Sequence, residues 1–391
     1  MNTGRTIFSQ LTDFIPLPEF RRHVRRYHGN RRIRSFSCWD QFLCMAFGQL
    51  TGRESLRDLV TCLRALGGRL YHAGIRGRLS RSTLADANET RDWRIYADLA
   101  AALIRQARRL YRHAPLEVGV GLQQPAYAFD STTIDLCLKL FPWAQFRRHK
   151  SAVKLHTLLD LRGGIPCFIH VSSGKMADVL ALDHLLIEPG AFYVMDRGYT
   201  DFKRLFRFTQ SMAFFVTRAK KDLDYKRRAF RPVDRSTGLR SDTTIRLCGP
   251  KSAGLYPQPL RRIGFWADEL GKRLVFLTNN FDLPPMVIAQ LYRRRWSVEL
   301  FFKWIKQHLH IKAFYGCSLN AVRTQVWIAV CVYVLVAILR KELDIARSMN
   351  ELLQILSVTL LEKEPISPRF FEDIDHLQKI ENHNQLLLFN F

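Results

Sequence analysis

Carboxylates are scarce in this sequence. Across 391 residues, 35 Asp and Glu stand against 60 Lys and Arg, a formal net charge of +25. So basic a chain favours a polyanionic partner, reached through phosphate contacts and counterion release. An anionic membrane surface is the competing partner, but no basic amphipathic helix dominates and no lipidation motif is present. Long apolar runs are also missing. The longest, VWIAVCVYVLVAIL from Val326 to Leu339, has 14 residues. That is short of the ~20 a membrane-spanning helix requires, so it reads as a buried helix and no membrane partner is expected. The opening MNTGRTIFSQ lacks the apolar stretch of a secretory signal. Eight cysteines occur, at positions 38, 44, 62, 137, 167, 248, 317 and 331, and no two lie within four residues of each other. That spacing excludes a CxxC metal knuckle. The cysteines read as small hydrophobes of a chain kept in the reducing cytoplasm. Gly119 and Gly121 form only a fragment of a dinucleotide fingerprint, without its third glycine or following helix.

What is present divides the chain into regions. Residues 1 to about 115 read as a helical domain. FRRHVRRYHGNRRIR, Phe20 to Arg34, carries seven arginines and no acid. Arg21, Arg22, Arg25 and Arg26, interleaved with Phe20 and Tyr27, are candidates for DNA-backbone contact; a solvated basic face is the plainer alternative. A helix from Trp39 to Leu50, a break at Thr51-Gly52 and a second helix from Glu54 to Leu66 outline a helix-turn-helix or any helical hairpin. Ser80 or Ser82 can cap a further helix as far as Glu89, and Leu99, Leu103, Ala107 and Leu110 give core spacing within Asp92 to Arg112.

From about 120 to 218 the pattern changes to short strands: Tyr127–Phe129, Ala152–Asp160, Pro166–Val171, Phe192–Met195 and Ala213–Thr217, with helices at Val179–Leu186 and Thr200–Gln210. The segment from 219 to 283 carries β-like runs at Thr243–Leu247, Ile263–Trp266 and Arg273–Leu277, with Asp268 to Gly271 as a hairpin turn. Residues 284–345 and a tail, 346–391, should be helical. Val326–Arg340 is expected to pack the preceding helix onto the sheet.

The most informative stretch is YRRRWSVELFFKWIK, Tyr292 to Lys306. Tyr292, Arg295, Glu299 and Lys306 are spaced by three, four and seven residues. That spacing puts one aromatic hydroxyl, one carboxylate and two cations in a single helical stripe. A carboxylate ligates a hard metal ion, while Arg and Lys clamp phosphate oxygens. A salt-bridged, solvated helix face has the same spacing, and two other segments decide between the readings. YAFDSTTIDL carries Asp130 and FYVMDRGYTDF carries Asp196. Each reads as a buried strand that ends in an aspartate and breaks into a turn.

On these residues the chain resembles the DDE transposases, and within them the cut-and-paste insertion-sequence family called IS-four. The order Tyr292, Arg295, Glu299, Lys306 matches that family's signature spacing, DRGY at Asp196 to Tyr199 resembles its second-aspartate motif, and Phe141 to Val171 resembles the strands after its first aspartate. The likeness is close from about Tyr127 to Leu309. It implies an α/β fold, an RNase H-like catalytic core with a β-rich insertion, preceded by a helical N-terminal DNA-binding domain. It also implies that Asp130, Asp196 and Glu299 are catalytic and ligate two Mg²⁺ (or Mn²⁺) ions, with Asp130 bridging. Tyr292, Arg295 and Lys306 then contact DNA. Trp266 is a candidate to stack on a flipped base, although a hairpin tryptophan is more often core. Arg147, Arg148, Lys150 and Lys154 read as a basic strand edge along a phosphate backbone, with Arg197 beside the second aspartate. His149 and His156 read as DNA contacts or core. Asp135, Asp160, Asp178, Asp183 and Asp201 read as turn or cap residues.

The implied activity is strand cleavage at element ends, hairpin formation and strand transfer into target DNA. The implied partners are double-stranded DNA of the terminal inverted repeats and of the target, engaged by a dimer in the DNA-bound synaptic complex, in the bacterial cytoplasm at the nucleoid. Two other readings remain at this point: an RNase H-like nuclease that only hydrolyses, and a catalytically silent, transposase-derived DNA-binding regulator. The intact carboxylate set weighs against the regulator.

Overall fold

The structure, a computed structural model, describes residues 4–116, 122–308 and 314–367. Gly119, Gly121, Pro368 and the rest of the tail lie outside those residues. The chain forms two compact units, one of residues 1–110 with 304–391 and one of residues 111–303.

The first unit is helical. Its N-terminal helices are Ile7–Leu11, Leu17–Arg26, Cys38–Leu50, Leu56–Ala65, Arg69–His72, Arg81–Thr90 and Arg94–Tyr111. Local chemistry sets their starts. Ser37 and Asp40 form a reciprocal capping box, and Ser80 rather than Ser82 accepts the Thr83 N–H. Leu319–Glu342 is the unit's central helix and packs on Cys38–Leu50, Arg81–Thr90 and Met349–Thr359. The 14-residue apolar run thus belongs to a helix of 24 residues, long and apolar enough to cross a membrane, but 89% of its apolar window is buried inside the protein. A helix apolar all round is stable only when covered on every side. Leu319–Glu342 also meets the Trp296–His308 helix, where the Trp304 and Tyr333 rings pack edge to face at 4.7 Å, in keeping with the expected contact of Val326–Arg340 with that helix.

The second unit is built on a ten-stranded sheet. Its strands are β1 Ala126–Leu136, β2 Gln145–Arg147, β3 Lys150–Asp160, β4 Ile165–Ser173, β5 Phe192–Met195, β6 Phe214–Arg218, β7 Tyr225–Arg231, β8 Leu239–Leu247, β9 Leu260–Ala267 and β10 Lys272–Thr278. Antiparallel β4, β3 and β1 are followed by β5 and β6, which run parallel to β1. This is the RNase H-like arrangement. The segment after β6 is β-rich as expected, but its strands extend the same sheet: β10 pairs with β6, then come β9, β8 and β7. β7 escaped the sequence reading because YKRRAFR is an exposed edge strand carrying four cations, with no apolar face to signal it.

Period-two alternation sorts the strands onto two cores. Tyr127, Phe129, Tyr193, Met195, Phe215 and Leu277 face the Phe202–Gln210 helix, represented by Leu205 and Phe208. Ala126, Phe192, Val194, Val216 and Phe276 face Val287, Ile288, Leu291 and Tyr292 of the Pro285–Arg294 helix. The expected helix at Val179–Leu186 is a 3-10 turn, Asp178–His184.

β1 corrects one expectation. It does not end at Asp130 but continues to Leu136, paired with β3 from Tyr127↔Asp160 to Leu136↔Ser151. What ends there is its parallel partner, since the last β1–β5 pair is Phe129↔Met195. Asp135 therefore lies exposed on a continuing strand instead of in a turn.

Candidate active site

The register of β1 and β5 brings the two aspartates to one place. Phe129 pairs with Met195, and each is followed by its aspartate. Parallel neighbours lie about 4.8 Å apart, so the two carboxylates start from adjacent points on one sheet edge. At Asp196 the chain leaves β5 into a single 3-10 turn, Arg197–Tyr199. Thr217 of β6 donates its hydroxyl to the Asp196 carbonyl at 3.1 Å, tethering that strand end.

The third carboxylate arrives from a helix pair. Pro285–Arg294 and Trp296–His308 meet at Arg295, so the Tyr292-to-Lys306 stripe crosses a junction and does not run along one uninterrupted helix. Arg295 keeps αR backbone angles there, which preserves the i,i+4 relation to Glu299. Its guanidinium donates Nη1 to Asp130 Oδ2 at 2.8 Å and Nη2 to Glu299 Oε1 at 2.6 Å. The Tyr292 hydroxyl donates to Asp196 Oδ1 at 3.0 Å. Asp130 Oδ1 further accepts the Ser131 N–H at 2.8 Å and the Tyr199 hydroxyl at 3.4 Å. The signature residues thus bind the carboxylates themselves: Arg295 spans two of them, and Tyr292 holds the third.

The electrostatics follow. Burial pushes the Asp130 carboxyl above its ordinary value and the fields of Glu299 and Asp196 push the same way, while the Ser131 N–H and Arg295 oppose them. Burial works against the Arg295 charge, but the Glu299 hydrogen bond and the fields of Tyr292, Asp130 and Glu299 outweigh it. Burial and Asp196 push the Tyr292 phenol up to about 12, so at neutral pH it is a donor to Asp196. Lys306, half-buried, lies on the Trp296–His308 helix two turns beyond Glu299.

Two sequence comparisons bear on this geometry. The family described as the transposase DDE domain matches residues 121–335, which include all three carboxylates. The chain belongs to the DDE transposases. It is an enzyme that cleaves and transfers DNA. A domain of unknown function, DUF4372, matches residues 3–76 of this transposase. Its relatives include "Putative transposase y4zB" of Sinorhizobium fredii, 35% identical over 65% of this chain and 70% of the relative. Another is "Probable transposase for insertion sequence element IS5377" of Geobacillus stearothermophilus, 28% identical over 66% and 67%. Among solved structures, a piggyBac transposase in a synaptic complex with hairpin DNA has a TM-score of 0.44 and 10% identity over 95% of this chain and 84% of that one.

Membership implies a reaction dependent on divalent metal, and the donor set suits it. Asp130, Asp196 and Glu299 offer hard carboxylate oxygens, and a cationic guanidinium already sits between two of them. Among the described residues no three His, Cys, Asp or Glu side chains are gathered closely enough to hold an ion as they stand. In this transposase Arg295 bonds Asp130 and Glu299, and the neutral Tyr292 hydroxyl donates to Asp196.

Arg147, Arg148 and Lys150 are exposed at the tight β2–β3 turn. Lys154 is instead committed to Asp178 at 3.0 Å and the Met176 carbonyl. Arg197 is exposed beside Asp196. Trp266 is half-buried on β9 opposite Arg273. In the helical unit, Arg21 and Arg25 line a cavity of about 590 Å³ with Phe20 and Trp39. Arg22 pairs with Glu19 at 3.7 Å, and Arg26 with Asp98 at 3.8 Å. His156 is a core residue, fully buried on β3, with Nε2 hydrogen-bonded to Ser172 at 2.8 Å; His149 is exposed. Asp160 and Asp201 are local caps, for Arg162 N–H and Arg204 N–H, and Asp183 pairs with Arg204 and Arg207.

Sequence reasoning missed Tyr199 and Thr217. Tyr199 closes the quoted DRGY motif, and its position three residues after the aspartate was the available signal. Thr217 had none beyond its place near a strand end.

Proposed function

We propose that this transposase moves its element by cut and paste, with Asp130, Asp196 and Glu299 as its catalytic carboxylates. It hydrolyses one strand at each element end and exposes a 3′-hydroxyl. That hydroxyl attacks the opposite strand to form a hairpin, which is reopened before insertion into target DNA. The observation that carries the reading is the hydrogen-bonded set in which Arg295 joins Asp130 to Glu299 and Tyr292 holds Asp196, the two aspartates following paired residues of neighbouring strands.

Asp130, Asp196 and Glu299 would together hold two divalent ions, Mg²⁺ or Mn²⁺. Such ions supply Lewis-acid charge to an otherwise inert phosphodiester. The chain's own groups do the rest. Arg295, released from its carboxylates, and Lys306 hold phosphate oxygens of the scissile strand. Tyr292 fixes the Asp196 carboxylate. Arg147, Arg148, Lys150 and Arg197 line the DNA approach, Trp266 receives a displaced base, and Arg21, Arg22, Arg25 and Arg26 grip the duplex from the helical unit. The working form is a dimer on paired element ends at the nucleoid in the bacterial cytoplasm. We also propose the functional division stated above: DNA binding before residue 115, catalysis from 120–218 and 284–345, an insertion between them, and a tail from 346.

The test is cleavage of a labelled DNA fragment bearing the element end, with Mg²⁺ or Mn²⁺, comparing the native chain with Glu299→Gln. Hairpin ends and strand-transfer products that vanish in the variant support the reading. Nicking without hairpin or joined product reduces it to a hydrolytic nuclease, and binding without cleavage reduces it to a regulator.

A further inference from the structure

A second feature of the sheet unit has no role in the carboxylate site. On the sheet face that carries Leu260 and Leu277, opposite the one packed on the Pro285–Arg294 helix, strands β7 to β10 form an open cavity of about 460 Å³. That volume is within the ~300–1,000 Å³ of small-ligand pockets. Register fixes its make-up. Phe230 of β7 pairs with Thr243 of β8, and Thr243 with Arg262 of β9. One step along, Ser241 pairs with Gly264, and beyond that Arg273 of β10 pairs with Trp266.

Four arginines, Arg227, Arg228, Arg262 and Arg273, line this cavity, and among the described residues none has a carboxylate partner. Elsewhere on the same strands the acid is already committed: Asp242 belongs to Arg261 and Arg231, on the opposite face. Arg262 is half-buried and lies over the Tyr225 ring at 5.3 Å. Burial, followed by the like charges of Arg273 and Arg227, lowers its pKa against the opposing effect of Tyr225. An arginine so placed lacks a counter-charge. The floor is kept open by Gly264, where a Cβ would stand 2.6 Å from Ser241 Oγ and 3.2 Å from Arg273 Nη2. Ser241 Oγ is itself buried with no hydrogen-bond partner. At the rim Phe230 is 68% exposed, a large apolar ring beside concentrated positive charge.

We propose that this cavity is a second DNA site, binding one nucleotide of a DNA strand, with its phosphate on Arg227, Arg262 and Arg273, its open oxygens toward Ser241, and its sugar and base against Phe230. Guanidiniums and a hydroxyl are the donor set of phosphodiester recognition, and an exposed aromatic beside them suits a nucleotide's apolar surfaces. The location favours a strand over a free nucleotide. β10 is antiparallel to β6 with Phe276 opposite Arg218, so Arg273, Gly264 and Trp266 project past the sheet edge at which β5 delivers Asp196. The identity of the ligand rests on the reading of the chain as a DNA-joining enzyme; the anion site does not.

The experiment uses the full chain in EDTA, so that binding is read without catalysis and does not depend on the carboxylate assignment. Binding of a fluorescent DNA duplex is followed by anisotropy across a salt series. The variants are Arg262→Gln/Arg273→Gln and, as a charge-matched control, Arg240→Gln/Arg246→Gln on exposed β8 positions outside the cavity. Thermal melts check that both remain folded. The expected result is about tenfold weaker binding by the cavity variant at 0.1 M salt. Its log Kd against log salt slope should also fall by about two, at roughly 0.9 per phosphate contact, with a smaller change in the control. Phe230→Ala should weaken binding with its slope unchanged. Equal losses in cavity and control variants, or no loss, would overturn the proposal. So would calorimetric binding of AMP or inorganic phosphate that disappears in the cavity variant while its DNA binding stays intact.

Discussion

Two arginine–aspartate pairs occupy the same sheet unit and behave as opposites. Arg261 grips Asp242 with two parallel hydrogen bonds, at 3.0 and 2.7 Å, both side chains being at most 3% exposed. Its remaining Nη1 donates to the Leu283 carbonyl at 2.6 Å, pinning the turn before the Pro285–Arg294 helix. Arg295 instead divides itself, with one bond to Asp130 and one to Glu299, and its Nε has no partner. The Glu299 side chain is 34% exposed. The first pair is saturated and stays shut. The second has more carboxylate than cation, one donor unused and a face open to water, which is what a site must keep if it is to accept metal and phosphate. An ion pair becomes structural or functional by whether its hydrogen-bonding capacity is exhausted.

Glu299→Gln breaks the open side of the comparison most severely. It should lower strand cleavage by about a thousand-fold, the several kcal/mol that metal-assisted charge stabilisation supplies. The melting temperature should remain within a few degrees of the native protein. Loss of folding together with activity would make Glu299 a structural partner of Arg295.

Asp242→Ala breaks the closed side. It strands a buried guanidinium and should cost about 3–5 kcal/mol of unfolding free energy in a urea titration. Replacing both partners, as Asp242→Leu with Arg261→Met, should recover most of that loss. If the single variant is as stable as the native chain, the pair is not the saturated lock described.

A third region sharpens the contrast through pH. His156 is buried without a carboxylate hydrogen bond. Burial depresses its pKa to about 4, joined by Lys154, His170 and His184 and opposed by Asp178. The folded value lies below the unfolded one, so stability is complete above about pH 6.5 and falls as pH drops toward 4, where only the unfolded chain takes up the proton. The loss should approach about 3 kcal/mol over that window. His156→Gln should flatten the profile, and an unchanged slope would remove His156 as its source.

The smallest effect concerns the competition at Arg295. Arg295→Gln should tighten Mn²⁺ binding in the absence of DNA by about tenfold, read by electron paramagnetic resonance, because a cation between two carboxylates is removed. Cleavage should fall all the same. Weaker Mn²⁺ binding would mean that Arg295 organises the carboxylates for the ion and does not compete with it.

Much of this protein was legible in the residues. Asp130, Asp196 and Glu299 were marked by their strand–Asp and Tyr-Arg-Glu-Lys contexts; in the structure Asp130 and Asp196 follow paired residues of neighbouring strands, and Arg295 links Asp130 to Glu299. The strands from 150 to 218 fell within a few residues of expectation, because their alternation of apolar side chains reports a two-faced sheet. β7 was missed because a charged edge strand has no such alternation. The length of β1 was misread because a strand's end depends on its neighbours: β3 carries it to Leu136, whereas β5 leaves it at Phe129.

By itself the sequence determined what is local or periodic: helix caps, strand faces, the chemistry of the carboxylates and the excess of positive charge. The tertiary structure decided what depends on register and partnership. It turned Arg295 and Tyr292 inward onto the acids, closed Asp242 on Arg261, and left Arg227, Arg262 and Arg273 together without an acid. Those outcomes lie in pairings between strands far apart in the chain, and no spacing along the chain encodes which charge will find a partner.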